Sequence, residues 1–160
     1  MELFFNPKSI AIAGASREPT KLGHVILRNF FENRKRGVFK GQVFAVNPTA
    51  NEILGVRCYD SIVNVSSDVE AIVVAVKAEL VPNVLEDAAR KGVMVATIIS
   101  GGFSEVGNVK LEDEVKQIAK RAAIRVIGPN RVGVYDAYTG VDTIFLRETK
   151  TIFARSEHSS

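Results

Sequence analysis

The sequence predicts an α/β fold in which helices cover both faces of a parallel sheet. Five short apolar segments recur along the 160-residue chain, and helical stretches lie between them. Each apolar segment is nearly continuous instead of alternating, as strands buried on both faces of a parallel sheet require. We therefore expect a doubly wound sheet in a three-layer αβα arrangement, with right-handed crossovers and strand order 3-2-1-4-5.

The apolar segments place the strands. The first reads SIAIAG and the last reads IRVIG. The predicted strands are, in chain order, 9–14, 42–47, 70–76, 93–100 and 124–128. In a sheet of the expected order, a ligand lies beyond the carboxyl ends of the strands, between strands 1 and 4. The turns expected to converge there are 14–23, 47–51, 77–79 and 100–104.

Three helices are predicted between the strands. The first begins near Gly23 and runs to about Lys35. The second has an apolar stripe at helical spacing, accepts Pro82 in its first turn and stops at Gly92. The third covers residues 109–123, where apolar side chains form an inward stripe and charged ones face out.

Length and composition fit one domain, which we place at residues 1–146, followed by a tail or truncated linker at 147–160. Apolar residues make up 46% of the chain and charged residues 24%. The chain lacks an apolar stretch of about 18 residues and its first residues lack a secretory pattern, so we expect a cytoplasmic protein without a membrane span. The single cysteine, Cys58, excludes a disulfide framework and a cysteine-based zinc site.

The densest basic run is NRKRGVFK at residues 33–40. Nucleic-acid binding would need base-stacking aromatics beside this run, or a recognisable nucleic-acid-binding fold, and the sequence shows neither. We expect the run to be a solvated helix end whose cations complement the helix dipole. The rest of the net charge of +3 can serve an anionic small molecule.

A candidate anion site follows the first strand, in the stretch IAIAGASREPTKLG. Gly14 permits a tight turn, Ser16 offers a hydroxyl and Gly23 stands at the start of the helix. Arg17 and Lys21 add cations beside the positive end of the helix dipole. The stretch departs from the G-x-G-x-x-G pattern of dinucleotide-binding loops. A plain turn with two surface cations is the alternative.

The end of the second strand, VFAVNP, bears on which anion would bind. Proteins that bind NAD usually end this strand with an acidic residue that accepts the ribose hydroxyls. Asn47 and Pro48 stand in that position. Because neither repels a phosphate on the ribose, NADP and CoA are both favoured over NAD.

Two further motifs follow the fourth and fifth strands. IISGGFSEVG places Ser100 and Gly101 where a ligand can pass close to the backbone. GPNRVG presents Asn130 at the same edge of the sheet. Each motif alone is also compatible with an ordinary loop.

Taken in order, the motifs resemble the CoA-binding domain of the NDP-forming acyl-CoA synthetases, such as ADP-forming acetyl-CoA synthetase and succinyl-CoA synthetase. The resemblance covers residues 5–146 and rests on SIAIAGASREPTKLG, VFAVNP, GVRCYDSI, ELVPNVLEDAARKGV, IISGGFSE and GPNRVG. It implies a Rossmann-like fold that binds coenzyme A or acyl-CoA at the strand ends. It implies acid–CoA ligase activity only together with other domains or a β subunit, so the chain alone is not expected to be catalytic.

The resemblance assigns CoA-binding roles to three short stretches. The first would meet the nucleotide phosphates, the second would border the adenosine, and the third would line the path of the pantetheine arm. In that order, the implied residues are Gly14, Ala15, Ser16, Arg17 and Lys21; Val46, Asn47 and Pro48; and Ile99, Ser100 and Gly101. Lys77 replaces a proline frequent in relatives, and can approach a phosphate or project into water.

Other residues depart from the family pattern. Arg131 replaces the usual cysteine of Gly-Pro-Asn-Cys, and its larger, charged side chain changes the surroundings of the acyl-transfer point. Neither His24 nor His158 matches the family's phosphorylated histidine, and we expect His24 to be a satisfied or solvent-facing side chain. An NAD(P)-binding oxidoreductase or redox sensor is the alternative function, and the missing acidic residue after the second strand disfavours it.

Overall fold

A computed structural model of the chain describes residues 6–103, 106–128, 135–136 and 141–142. The predicted Asn130, Arg131 and the tail at 147–160 lie outside these ranges. The main-sheet strands are β1 (Ser9–Ala13), β2 (Gln42–Val46), β3 (Glu52–Ile53), β4 (Val56–Tyr59), β5 (Ala71–Val74), β6 (Val95–Ile98) and β7 (Arg125–Ile127). The helices are α1 (Leu22–Lys35), α2 (Val81–Lys91) and α3 (Val109–Arg121). A separate antiparallel pair consists of β8 (Tyr135–Asp136) and β9 (Val141–Asp142).

The main sheet has the order β3-β4-β2-β1-β5-β6-β7. All neighbouring strands are parallel except β3 and β4, which form an antiparallel hairpin. The chain moves outward from β1 to β2 and β4 on one side, and from β5 to β6 and β7 on the other. The sheet is therefore doubly wound, as predicted. The direction in which successive strands are added reverses between β1 and β5.

The predicted strand order 3-2-1-4-5 is wrong. The third predicted strand, β5, pairs with β1 instead of β2, and β4 takes the place beside β2. The sequence did not predict β4, because it is short and partly exposed and so lacks the continuous apolar run of the other strands. The observed strand order changes where a ligand site is expected. Because β5 lies between β1 and β6, the segment after β5 separates the loop after β1 from the loop after β6.

Alternate residues of the central strands face opposite layers. Ile10 and Ile12 of β1 pack in one core with Phe30 of α1, whereas Ala11 of β1 packs in the other with Leu85 of α2. The second core also includes the inward face of α3. Helix α1 therefore covers one face of the sheet and α2 and α3 cover the other, which gives the predicted three layers.

The helix ends follow the predicted signals. Pro82 lies in the first turn of α2, and Gly92 ends the helix in a left-handed conformation with φ of 84°. Arg34 and Lys35 fall in the last turn of α1, where the basic run was expected to complement the dipole. Within the described ranges, no helix has the length and apolar character needed to cross a membrane.

Candidate functional site

A cavity of about 500 Å³ opens at the carboxyl ends of β1 and β5, where the sheet reverses direction. Four segments build it: the loop after β1, the end of β2, the segment after β4, and the face of α2 with the residues that precede it. From the loop after β1 and the end of β2 come Gly14, Ala15, Ser16, Glu18, Lys21, Leu22, Gly23, Val46, Asn47 and Pro48. We call this the switch-point cavity.

Two glycines let the walls of this cavity approach each other. Gly14 has φ of +91°, and a Cβ there would lie 2.4 Å from the carbonyl oxygen of Ala75. A Cβ on Gly23 would lie 1.8 Å from the carbonyl oxygen of Gly14. The loop after β1 is therefore packed between the end of β5 and the first turn of α1, with no room for a side chain at either position.

Hydrogen bonds fix the polar part of the same loop. The Ser16 hydroxyl accepts from the Glu18 N–H at 3.1 Å. The Ser16 carbonyl lies 2.8 Å from Nδ1 of His24, and because a carbonyl only accepts, Nδ1 carries the proton. His24 is 7% exposed, so of the two placements expected from the sequence it takes the satisfied one and not the solvent-facing one.

Helix α1 begins at the floor of the cavity. Lys21 precedes its first turn, and no side chain among the described residues caps it. The first turn also lacks acidic residues, and its Leu22 and Gly23 line the cavity at the positive end of the helix dipole, whereas the His24 N–H donates to the Lys21 carbonyl at 3.1 Å. An anion placed there would meet backbone donors and the Lys21 ammonium together.

Asn47 ties the loop after β2 to the loop after β1. Its Nδ2 donates to the Ala15 carbonyl at 2.7 Å. Its Oδ1 accepts from the backbone N–H groups of Thr49 at 2.7 Å and Ala50 at 3.1 Å, and from the Thr49 hydroxyl at 3.0 Å. The amide oxygen is thus occupied by protein donors, and it does not offer the acceptor that an acidic residue offers to NAD at this position.

The opposite wall was not predicted. It consists of Asp60, Ser61 and Ile62 after β4, together with Val76, Leu80, Asn83, Val84 and Asp87. The Ser61 hydroxyl donates to Asp87 at 3.3 Å and so joins the two parts of the wall, while Arg90 pairs with the other oxygen of Asp87 at 3.1 Å. The four-residue spacing of Asn83 and Asp87 on one helix face was a detectable signal, but only with β4 in place does it point to a site.

Five predicted site residues in the described ranges do not line the switch-point cavity: Arg17, Lys77, Ile99, Ser100 and Gly101. Arg17 and Lys77 are exposed. Ser100 is buried, and its hydroxyl donates to the Val74 carbonyl at 3.4 Å. The other predicted stretches, 14–16 with Lys21 and 46–48, do come together in the cavity.

Cys58 lies beside this site in a buried position. Burial raises the pKa of its thiol, the Arg17 guanidinium partly opposes this, and the Glu52 carboxylate adds to it. Little thiolate therefore forms near pH 8, and we expect iodoacetamide to alkylate the native protein at least tenfold more slowly than the urea-unfolded chain. Mass spectrometry of timed samples measures both rates. Equal rates would contradict the buried placement.

The comparison with protein families agrees with this geometry. A family model described as "CoA binding domain" matches residues 8–137, which is most of the chain. The chain belongs to this family of CoA-binding domains. The predicted resemblance to the CoA-binding domain of ADP-forming acyl-CoA synthetases is confirmed by the relatives of this family member.

Two curated relatives show how similar this chain is to ADP-forming acetate–CoA ligases. The ADP-forming acetate–CoA ligase of Methanocaldococcus jannaschii is 42% identical over 141 residues, covering 88% of this chain and 19% of the ligase. The alpha subunit of ADP-forming acetate–CoA ligase I of Pyrococcus furiosus is 37% identical over 140 residues, covering 84% of this chain and 29% of the subunit. The chain thus spans about a fifth to a third of these relatives.

A solved structure shows the same fold. The dinucleotide-forming acetyl-coenzyme A synthetase 1 of Ca. Korarchaeum cryptofilum, in complex with phosphate and ADP, matches with a TM-score of 0.84 at 39% identity. The match covers 89% of this chain and 30% of the synthetase chain. The Rossmann-like α/β fold implied by the sequence motifs is therefore confirmed.

Proposed function

We propose that this chain is the CoA-binding module of an acyl-CoA synthetase and holds CoA or acyl-CoA in the switch-point cavity. The observation that carries the proposal is the meeting of the uncapped start of α1, the glycine loop after β1 and Lys21 in one cavity. Membership of the CoA-binding domain family supports the same ligand.

The phosphates of CoA would lie at the start of α1. Backbone N–H groups of the first turn and the Lys21 ammonium supply positive charge there, and Ser16 supplies a hydroxyl. Gly14 and Gly23 allow the loop after β1 to pack directly between the end of β5 and the start of α1, which holds these donors in place. This arrangement suits a pyrophosphate, which needs several donors along a short length of backbone.

The adenine would occupy the space between the end of β2 and α2. Apolar side chains line this part of the cavity, among them Ile62, Val76 and Val84. Such surfaces favour a flat aromatic ring, because contact removes apolar area from water. Asn83 and Asp87 stand at one side of the same space and offer hydrogen-bond partners to the edge of a purine.

The pantetheine arm would then leave the cavity past the end of β5. Lys77 lies just after β5, and the stretch Ile99, Ser100 and Gly101 follows β6 on the far side of β5. Asn130 lies beyond the described residues. A route along this edge for the arm is part of the proposal.

Acid–CoA ligation would require more than this module. The relatives named as ADP-forming acetate–CoA ligases are about three to five times as long as the part that matches. We propose that the chain presents CoA to other domains or to a β subunit, which supply the nucleotide chemistry.

Binding of CoA is expected to raise the midpoint of thermal unfolding. At a ligand concentration of 100 times Kd the stabilisation is about 2.7 kcal/mol, which corresponds to a shift of roughly 5 to 10 °C for a chain of this size. NAD should produce no shift, because Asn47 offers no acceptor to its ribose. Parallel scans with CoA, dephospho-CoA, NAD and NADP make the measurement.

The Lys21→Gln variant tests the location of the ligand. Loss of one phosphate-binding cation should weaken CoA binding by about 3- to 10-fold, with a larger effect at low salt. Lys116→Gln, an exposed position on α3, is the matched control and should bind as the parent does. A protein that binds NADP and gives no calorimetric signal with CoA would refute the proposed function.

A further inference from the structure

A second cavity of about 390 Å³ lies beyond the end of β2 and adjoins the first. The two cavities share Asn47, Pro48 and Asp60 in their linings. The second cavity is lined mainly by polar groups, and its lining residues include Asn51, Arg57 and Tyr59. We call it the Arg57 cavity. A ligand that borders Asn47 and Pro48 in the first cavity could extend a substituent into the second.

Arg57 supplies the positive charge in this lining. Its Cζ lies 5.0 Å from the centre of the Tyr59 ring, so the ring supports the planar guanidinium. Glu52 is opposite Arg57 in the antiparallel register, but no ion pair joins them. Among the described residues Arg57 has no carboxylate partner, and its N–H groups are available to a ligand.

The other charged groups around the Arg57 cavity include both a carboxylate and a guanidinium. Asp60 contributes a carboxylate at the boundary with the switch-point cavity, where the Asn64 amide donates to it. Arg17, on the loop after β1, is close enough to act electrostatically on Cys58, whose side chain lines the cavity. An anion in this space would be attracted to the Arg57 side and repelled from the Asp60 side.

The next inference rests on the proposed function. We propose that Arg57 binds the phosphate on the ribose of CoA. The fork of a guanidinium matches two oxygens of a phosphate, and stacking on Tyr59 limits the freedom lost on binding. The ribose that borders Asn47 and Pro48 would carry this phosphate directly toward the Arg57 cavity. Arg57 would then be the residue that distinguishes CoA from dephospho-CoA, which lacks that phosphate.

Isothermal titration of the folded chain with CoA and with dephospho-CoA tests this assignment. The parent protein should bind CoA about 10- to 100-fold more tightly than dephospho-CoA, as expected for charge-assisted hydrogen bonds. Arg57→Gln should reduce this preference to less than about threefold while leaving the affinity for dephospho-CoA within about twofold. Asp60→Asn should increase the preference, because it removes a like charge from beside the phosphate.

Arg125→Gln is the matched control, since Arg125 is exposed on β7 at the opposite side of the sheet. It should leave both affinities unchanged, and circular dichroism of each variant verifies the fold. Equal affinity of the parent for both ligands, or an equal loss of both in Arg57→Gln, would overturn the assignment while leaving CoA binding intact. A folded parent that binds neither ligand would instead overturn the proposed function.

Discussion

Gly23→Ala is expected to abolish measurable CoA binding and to lower the free energy of unfolding by about 2 to 4 kcal/mol. The added Cβ would lie 1.8 Å from the Gly14 oxygen and 2.6 Å from the Gly14 carbonyl carbon. Both are backbone atoms, so a side chain cannot simply rotate away. Helix α1 and the loop after β1 would have to separate by more than 1 Å, which opens the proposed phosphate site.

Urea unfolding followed by circular dichroism measures the stability change, and calorimetry with CoA measures the binding. Gly37→Ala is the matched control, because a Cβ at Gly37 would meet nothing within 4 Å. Gly37 has φ of +74°, so this control carries a conformational penalty of about 1 kcal/mol without any clash. It should retain CoA binding. Normal binding by Gly23→Ala would contradict the close packing of α1 on Gly14.

Asn47→Asp is expected to destabilise the protein by about 2 to 4 kcal/mol at pH 7. The substitution replaces the Nδ2 donor with a carboxylate oxygen at the position 2.7 Å from the Ala15 carbonyl. A hydrogen bond thus becomes a repulsive contact between two acceptors. The loop after β1 would shift away from β2, and CoA affinity would fall by at least tenfold.

Urea unfolding at pH 7 followed by circular dichroism measures the stability change. Asn6→Asp, at an exposed position, is the control and should leave the stability nearly unchanged. Unchanged stability of Asn47→Asp would contradict the hydrogen bond from Asn47 to the Ala15 carbonyl.

The helices and the five apolar strands could be predicted because burial on both faces leaves a continuous apolar pattern. The pattern does not contain the order of the strands. Strand β4 was not predicted because only one of its four residues, Cys58, is buried, so the strand lacks a continuous apolar run. Without β4, the predicted order put β5 beside β2. The predicted point at which the direction of strand addition reverses was therefore also wrong.

The same distinction applies to the candidate site. The loop after β1 and the end of β2 have local signals, namely Gly14, Ser16 and the asparagine–proline pair at 47–48. The wall formed by Ser61 and Asp87 arises from a contact between segments 26 residues apart, and no local pattern encodes it. Ser100 illustrates the reverse case, because its motif is recognisable but its hydroxyl is bonded to the Val74 backbone inside the protein.

The loop after β1 is held by partners from three directions. The Gly14 N–H donates to Val46, Asn47 donates to Ala15, and His24 donates to Ser16. The conformational entropy of these residues, about 1 to 2 kcal/mol for each residue, is therefore lost during folding and not at association. A ligand would meet a preorganised surface, so its association rate should be set by diffusion and charge and not by loop rearrangement.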